Sequence, residues 1–463
     1  MDVDDLRGSG PGALGATDLR SIQYSGSGSN FAVGQSPSPS APWPRFNVKS
    51  YTRAINYDTI SLRDELVRTQ GEHPPRGGGG QPVVGEQRQI LLVSGAHAWN
   101  QIGATTTPVP LAAAERLLQL WTTPHGVIRA AIANHAAVRS TTEGGRRTTT
   151  LSFAVPGRFK VNALINDRHL VEKVESWVAN PVLGDMLIET TYSDYQEFGR
   201  VRFPAKIRQT TGGFPSLDLT VSEVRPNVPV EIQVPDNVRR AAVRATAQEV
   251  ADGVWYLTGG SHHSVAVEMR DYVVVVEGPQ DDERAAAVIA EVKRAVPNKP
   301  IRYVVNTHHH FDHAGGIRAF AAEGATIITH EINRPFFERA FAAPRTVSPD
   351  RLARSGRKAT FETLNDRLVL TDGTRAVEIH HVRGNIHNDG LIMAYLPRER
   401  LLIEADAYSP APPNTPPPAR PNPFSVNLYE NIERLNLAVD RILPIHGRMV
   451  PLAELRRAIG RTP

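Results

Sequence analysis

Thr307-His308-His309-His310-Phe311-Asp312-His313 places four imidazoles and a carboxylate in one unbroken run. It follows the apolar stretch Ile301–Asn306, which reads as a strand, and precedes Ala314-Gly315-Gly316 and a helical stretch to Glu323. Residues two apart on an extended backbone point the same way, so His308, His310 and, if the extension holds, Asp312 face one side. His313 comes from the turn that follows and approaches from another direction. Such donors can serve two neighbouring divalent cations, Zn2+ or, less selectively, Fe or Mn. A strand-to-helix junction is also a place where metal sites are commonly built.

The surroundings predict a layered fold. Gly253–Leu257, Ser264–Met269, Tyr272–Val276, Ile301–Asn306 and Ala325–Thr329 read as strands, with helices at Asp281–Ala295 and Gly315–Glu323. A hairpin followed by alternating strands and helices argues for an α/β layered domain over residues 248–463. Residues 235–247 read as a linker. Residues 45–234 are mainly β, with strands such as Gln89–Val93, Thr148–Val155, Phe159–Ile165, Met186–Tyr192 and Leu217–Val224. Two helical stretches interrupt them, Leu111–Trp121 and Pro124–Val138. Residues 1–44 are rich in Gly, Ser and Pro and read as a flexible segment, with a short strand around Leu19–Tyr24. The tetraglycine Gly77–Gly80 lacks the Gly-Lys-Ser/Thr ending of a phosphate loop and reads as a flexible loop.

Composition removes several classes. Cys is 0, so disulfides, thiolate nucleophiles and Cys-ligated clusters are excluded. Pure-aliphatic runs such as Val273–Val276 are far short of the ~20 residues a membrane-spanning helix needs. Net charge is +4 and no basic block with interleaved aromatics stands out, so nucleic acid is not indicated as a partner and a small-molecule substrate is expected. Oligomeric state is not encoded legibly. Met1–Leu6 lacks the pattern of a secretory leader, so the chain as written reads as cytoplasmic, and as periplasmic or exported if a leader has been removed. Gly-x-Ser-x-Gly, His-Glu-x-x-His and a strand-borne Gly-x-Gly-x-x-Gly are all missing.

The histidine run resembles the first signature of the metallo-β-lactamase superfamily, and later signatures follow in family order. His387, in Gly384-Asn385-Ile386-His387-Asn388-Asp389-Gly390, is similar to the third histidine of the family's first metal site. Asp406, ending Leu401-Leu402-Ile403-Glu404-Ala405-Asp406, is similar to the bridging aspartate. His446, in Leu443-Pro444-Ile445-His446-Gly447, is similar to the late histidine of the second site. The departures are Glu277-Gly278-Pro279 in place of an Asp-Thr-Gly-like strand end, and Ala405 in place of the usual Gly. An Asp at the bridging position is similar to glyoxalase II, lactonases and other hydrolases, and also to some β-lactamases. The N-terminal half resembles, faintly, the curved β domains of bacterial lipoprotein carriers.

The resemblance implies an α+β chain: a C-terminal αββα sandwich preceded by a mainly antiparallel β domain with two helices. It implies that His308, His310 and His387 bind one zinc ion, that Asp312, His313 and His446 bind a second, and that Asp406 bridges them. Such a pair holds a shared hydroxide near neutral pKa and polarises a carbonyl or phosphoryl oxygen. Asp312 is then the catalytic candidate, orienting the hydroxide and handling the proton of the leaving group. The expected reaction is hydrolysis of an ester, lactone, thioester or amide, with a β-lactam included. The alternatives are a phosphodiesterase or nuclease, an iron oxygenase of the same fold, and a ligand carrier with a residual metal site.

The remaining histidines stay open at this level. His309 is expected to point away from the ligands, into a supporting contact or solvent. His380 and His381 compete with His387, which the Asn388-Asp389-Gly390 context favours. His262 and His263 touch substrate or sit in a solvated turn, and His330 lies on the cleft wall or the surface. The proline-dense stretch Ser409–Pro423 either walls the cleft or spaces the next helix.

Overall fold

The computed structural model describes Leu14 and residues 18–199 and 201–461. Among these residues, thirteen strands from Ser21–Phe31 to Phe214–Pro226 form one antiparallel sheet. The stretch expected to be flexible corrects that expectation, because Ser21–Phe31 lies at the middle of the sheet. It pairs with Arg45–Asn56 on one side and Phe214–Pro226 on the other. Its glycines are there for contact rather than mobility. A Cβ on Gly26 would lie 2.2 Å from Thr220 O, and the pairing shifts register between Ser25 and Gly26.

Helices Ala113–Trp121 and Pro124–Ala133 cover one face of this sheet, burying Leu118, Leu120 and Val127 with Ile22, Tyr24 and Ile55. The second helix starts where Thr123 caps it, accepting from Gly126 N. It ends at Ala133 rather than running to Val138. His135 turns into the left-handed region at φ +49°, and Ala137–Glu143 joins the sheet beside Arg146–Val155.

The C-terminal half is built from two sheets face to face. The first runs Thr246–Ala251, Val254–Thr258, Ser264–Glu268, Val273–Val276, Ile301–Val305, Thr326–His330, Thr360–Leu364. The second runs Arg367–Thr371, Ala376–His381, Ile392–Leu396, Leu401–Glu404, Arg441–Pro444, Val450–Pro451. Side-chain alternation explains the layering. Val274 and Val276 pack between the sheets against residues such as Ile379 and Ile403, whereas Val273 and Val275 pack outward against helix Asp282–Ala295. Helices Pro423–Arg434 and Leu452–Ala458 cover the second sheet through Leu428, Ile432 and Leu455. The architecture is an αββα sandwich preceded by an antiparallel β region, an α+β chain. No helix among the described residues is long and apolar enough to cross a membrane.

Candidate metal centre

Strand ends from both sheets deliver the donor residues to one edge of the sandwich. Ile301–Val305 stops before the histidine run, and Phe311–Ala314 is a short helix. Asp312 and His313 therefore come from a helical turn, not from the continued extension the alternation pattern allowed. Asp406 follows strand Leu401–Glu404 with φ +62°, a left-handed conformation that Asp tolerates better than most residues. His446 follows Arg441–Pro444, and His387 lies in the loop before Ile392–Leu396.

The donor atoms form two groups, His308, His310, His387 and Asp406, and His262, Asp312, His313 and His446. Within each, the atoms lie within 4.8 Å of one another. Asp406 touches both groups. Its Oδ2 is 2.9 Å from His387 Nε2 and 3.2 Å from His313 Nε2, and its Oδ1 is 2.8 Å from His446 Nε2. All seven residues expected as ligands are thus brought together.

Outward hydrogen bonds set which ring nitrogen faces in. His310 Nε2 donates to Ser36 O at 2.8 Å, which leaves its buried Nδ1 without a partner. His313 Nδ1 donates to Glu277 Oε2 at 3.1 Å, and His446 Nδ1 to Ser261 O at 3.2 Å. His308 Nδ1 donates to Thr307 Oγ1 at 3.0 Å, and that hydroxyl donates to Glu277 Oε2 at 2.5 Å. Each ring then turns its other nitrogen inward. His308 and His387 face each other Nε2 to Nε2 at 3.3 Å, and His313 and His446 at 3.2 Å. Facing lone pairs repel unless a positive charge sits between them. Five imidazoles and two carboxylates in this geometry fit divalent cations of the zinc type.

The electrostatics agree. Burial and the surrounding imidazoles push His308 and His310 well below the usual histidine range, so both rings are neutral and able to ligate. Burial also pulls His313 down, but Asp406 and Asp312 outweigh it and hold the ring well above that range. A cation entering this group displaces a proton. Burial alone would raise Asp406, yet His313, His446 and His387 keep its carboxyl well below the ordinary range.

Residues 257–444 match the profile of the metallo-beta-lactamase superfamily. This stretch belongs to the metallo-β-lactamase superfamily. A curated relative is the 2,4-dinitroanisole O-demethylase subunit alpha of Nocardioides sp. (strain JS1661), 27% identical over 172 residues. That match takes in 36% of this chain and 47% of the relative, so the chain spans about half of that protein's length. Solved structures of similar shape include the metallo-beta-lactamase from Pontibacter korlensis (16% identity, TM-score 0.36, 47% of this chain and 97% of that one). Others are FIM-1 from Pseudomonas aeruginosa (20%, 0.35, 48% and 95%) and the rubredoxin oxygen:oxidoreductase of Desulfovibrio gigas (16%, 0.37, 46% and 61%).

In this metallo-β-lactamase superfamily domain the other histidines resolve. His309 is buried, donates from Nε2 to Ser36 Oγ at 3.0 Å and accepts from Asn388 at 3.1 Å, a supporting contact. His380 is held by Glu378 and His381 by Asp389 O, away from the donor groups. His330 is buried, and its ring packs tilted against that of His381, with centroids 4.2 Å apart. His263 donates to Gly447 O, beside His446. His262 enters the second group, 3.1 Å from Asp312 Oδ2, whereas the sequence reading offered it a substrate contact or a solvated turn.

Three supports were missed by sequence reasoning. Glu277, noted only as a departure, is fully buried and orients His313 directly and His308 through Thr307. Gln35, in the segment expected to be flexible, donates to Asp312 Oδ1 at 2.7 Å and accepts from Gly79 N at 3.1 Å. The tetraglycine is packed rather than loose, which corrects the flexible-loop expectation. A Cβ on Gly78 would lie 2.0 Å from Gln35 Oε1 and 3.1 Å from His310 Cε1. A cavity of about 750 Å³ opens over Asp312, His387, Asp406 and His446, and the proline segment walls it through Pro412 and Pro416–Pro418.

Proposed function

We propose that the chain is a metal-dependent hydrolase, with residues 248–463 as the catalytic domain and residues 45–234, together with the segment before them, as a β domain that completes its pocket. One observation carries the reading: four imidazole nitrogens face each other in two pairs across a shared carboxylate, Asp406. His308, His310 and His387 would hold one divalent cation, Asp312, His313 and His446 a second, with Asp406 between them. Such cations, zinc first and iron or manganese less so, polarise a carbonyl and acidify water.

The rest is done by the chain. Gln35 and His262 grip the two oxygens of Asp312, at 2.7 Å and 3.1 Å, and fix the direction of its free lone pairs. The pull of His313 and His262 outweighs burial and keeps Asp312 ionised, so it can accept a proton from water and return it to a leaving alcohol, thiol or amine. The cavity admits an ester, lactone, thioester or amide, β-lactams included, and is walled on one side by the proline segment.

Elemental analysis should give two metal equivalents per chain. Fewer than one counts against the binuclear reading. A turnover screen over esters, lactones, thioesters, β-lactams and phosphodiesters then names the reaction. The named activity of the Nocardioides relative supports a second reading, cleavage of an aromatic methyl ether. Methanol release from an aryl methyl ether, with no ester turnover, would establish it in place of the first.

A further inference from the structure

The cavity over the donor groups has a second wall, supplied by the antiparallel sheet, and one charge stands out on it. Arg68, on strand Ser61–Gln70, lines the cavity and is 4% exposed. Buried Arg284, outside the cavity lining, is held by the backbone carbonyls of Arg244, Thr258 and His262, and three further buried arginines have acid partners: Arg53 pairs with Asp64, Arg318 with Asp350 and Arg375 with Glu399. Arg68 has none among the described residues. Its Nε donates to Gln87 Oε1 at 2.7 Å and its Nη2 to Gly79 O at 2.7 Å, both neutral acceptors, and its Nη1 makes no hydrogen bond among the described residues. The guanidinium lies over the Phe46 ring, 3.7 Å from the centroid, which fixes its plane. Its cavity neighbours Gln35, Gln81, Gln87 and Gln89 are uncharged.

A buried cation without a counter-ion is costly to hold. Burial, with no opposing charge, pulls this guanidinium down to about 10. A bound anion reverses that cost. Elsewhere on the cavity wall Arg448 is matched by Glu454, and Arg457 adds a further positive charge. The carboxylates Asp312 and Asp406 are committed to the histidine groups. The wall around Arg68 therefore lacks both its own anion and a repelling one.

We propose that Arg68 binds an anionic group of the substrate, so that the substrate is an ester, lactone or amide carrying a carboxylate remote from the bond that is cut. This rests on the hydrolase reading. The link between the two ends is short: Arg68 donates to Gly79 O, Gly79 N donates to Gln35, and Gln35 donates to Asp312. That spacing, on the order of 10 Å, suits a carboxylate several methylenes from a carbonyl.

The test uses the metal-loaded full chain with monophenyl glutarate, adipate and suberate, each against its neutral methyl phenyl diester. The wild type should prefer at least one monoester tenfold or more in kcat/KM, through KM, and 0.5 M NaCl should erode that preference. Arg68→Met should abolish the preference and Arg68→Lys should keep part of it. Equal losses on charged and neutral esters in Arg68→Met would reduce Arg68 to a brace for Gly79 and overturn the proposal, as would a wild type with no charge preference. Calorimetric binding of adipate against valerate separates the two readings. If no ester turns over, yet wild type prefers adipate and Arg68→Met does not, the hydrolase reading fails and the anion site stands. If esters turn over with no adipate preference, the anion site fails alone.

Discussion

The two halves of the chain contribute to one site in opposite ways. The C-terminal sandwich supplies every candidate ligand, through side chains with inward lone pairs. The N-terminal half supplies none of them, but its loops provide Ser36 O to His310, Ser36 Oγ to His309, Gln35 to Asp312 and the Gly78 surface beside His310. A metal centre needs both kinds of group. Ligands set affinity, and the groups behind them set tautomer and direction.

The largest effect should come from the ligand side. His308→Ala should abolish turnover and drop bound metal below two equivalents by elemental analysis, with the thermal unfolding of the antiparallel region retained. Full activity in this variant would break the contrast outright. Glu277→Gln keeps size and removes the charge that orients His313 and Thr307, so metal affinity should fall about 10–100-fold in a chelator competition.

Buried histidines of the two halves should also part company with pH. His125, in the antiparallel region, is fully buried and pushed down to about 4 by burial, with Leu14 O as its partner. Its folded form is neutral, so the stability tied to it is complete above pH 6.5. It is lost progressively as pH falls toward 4, by about 3 kcal/mol at the limit. His125→Asn should flatten that slope in denaturant melts taken from pH 7 to pH 4. An unchanged slope would show that the ring does not govern acid stability.

The smallest effect sharpens the contrast most. Gly78→Ala adds one methyl against Gln35 and His310, a crowding worth about 1–3 kcal/mol. It should reduce turnover more than it reduces the melting temperature. A loss confined to stability would mean that the sheet only covers the site.

What was legible in the sequence follows the same division. The donor groups of His308, His310, Asp312, His313, His387, Asp406 and His446 are side chains, and strand periodicity placed several of them near strand ends. A layered α/β arrangement was legible too, because Val273–Val276 and its neighbours read as buried strand, and the αββα form followed from the family resemblance. The supporting contacts were not. Ser36 acts through its carbonyl and Gly78 through having no side chain, and neither leaves a residue-type signal. Glu277 was visible as an oddity, a charge at the end of an all-valine strand, and that was the available cue for its role. Only the start of the strand Ser21–Phe31 was read, as a short strand around Leu19–Tyr24, because its later glycines and serines carry little β propensity and its partner Phe214–Pro226 lies far along the chain.

That central strand has a consequence for how the molecule is assembled on the ribosome. Ile22 pairs with Pro226, so the seam beside this strand cannot close until about two hundred further residues have emerged. Gln35 and Ser36 follow directly from that strand, and their partners Asp312, His309 and His310 are translated later still. Gln35 and Ser36 thus leave the exit tunnel well before the residues they contact, and the reactive centre can be finished only after synthesis of the sandwich is complete.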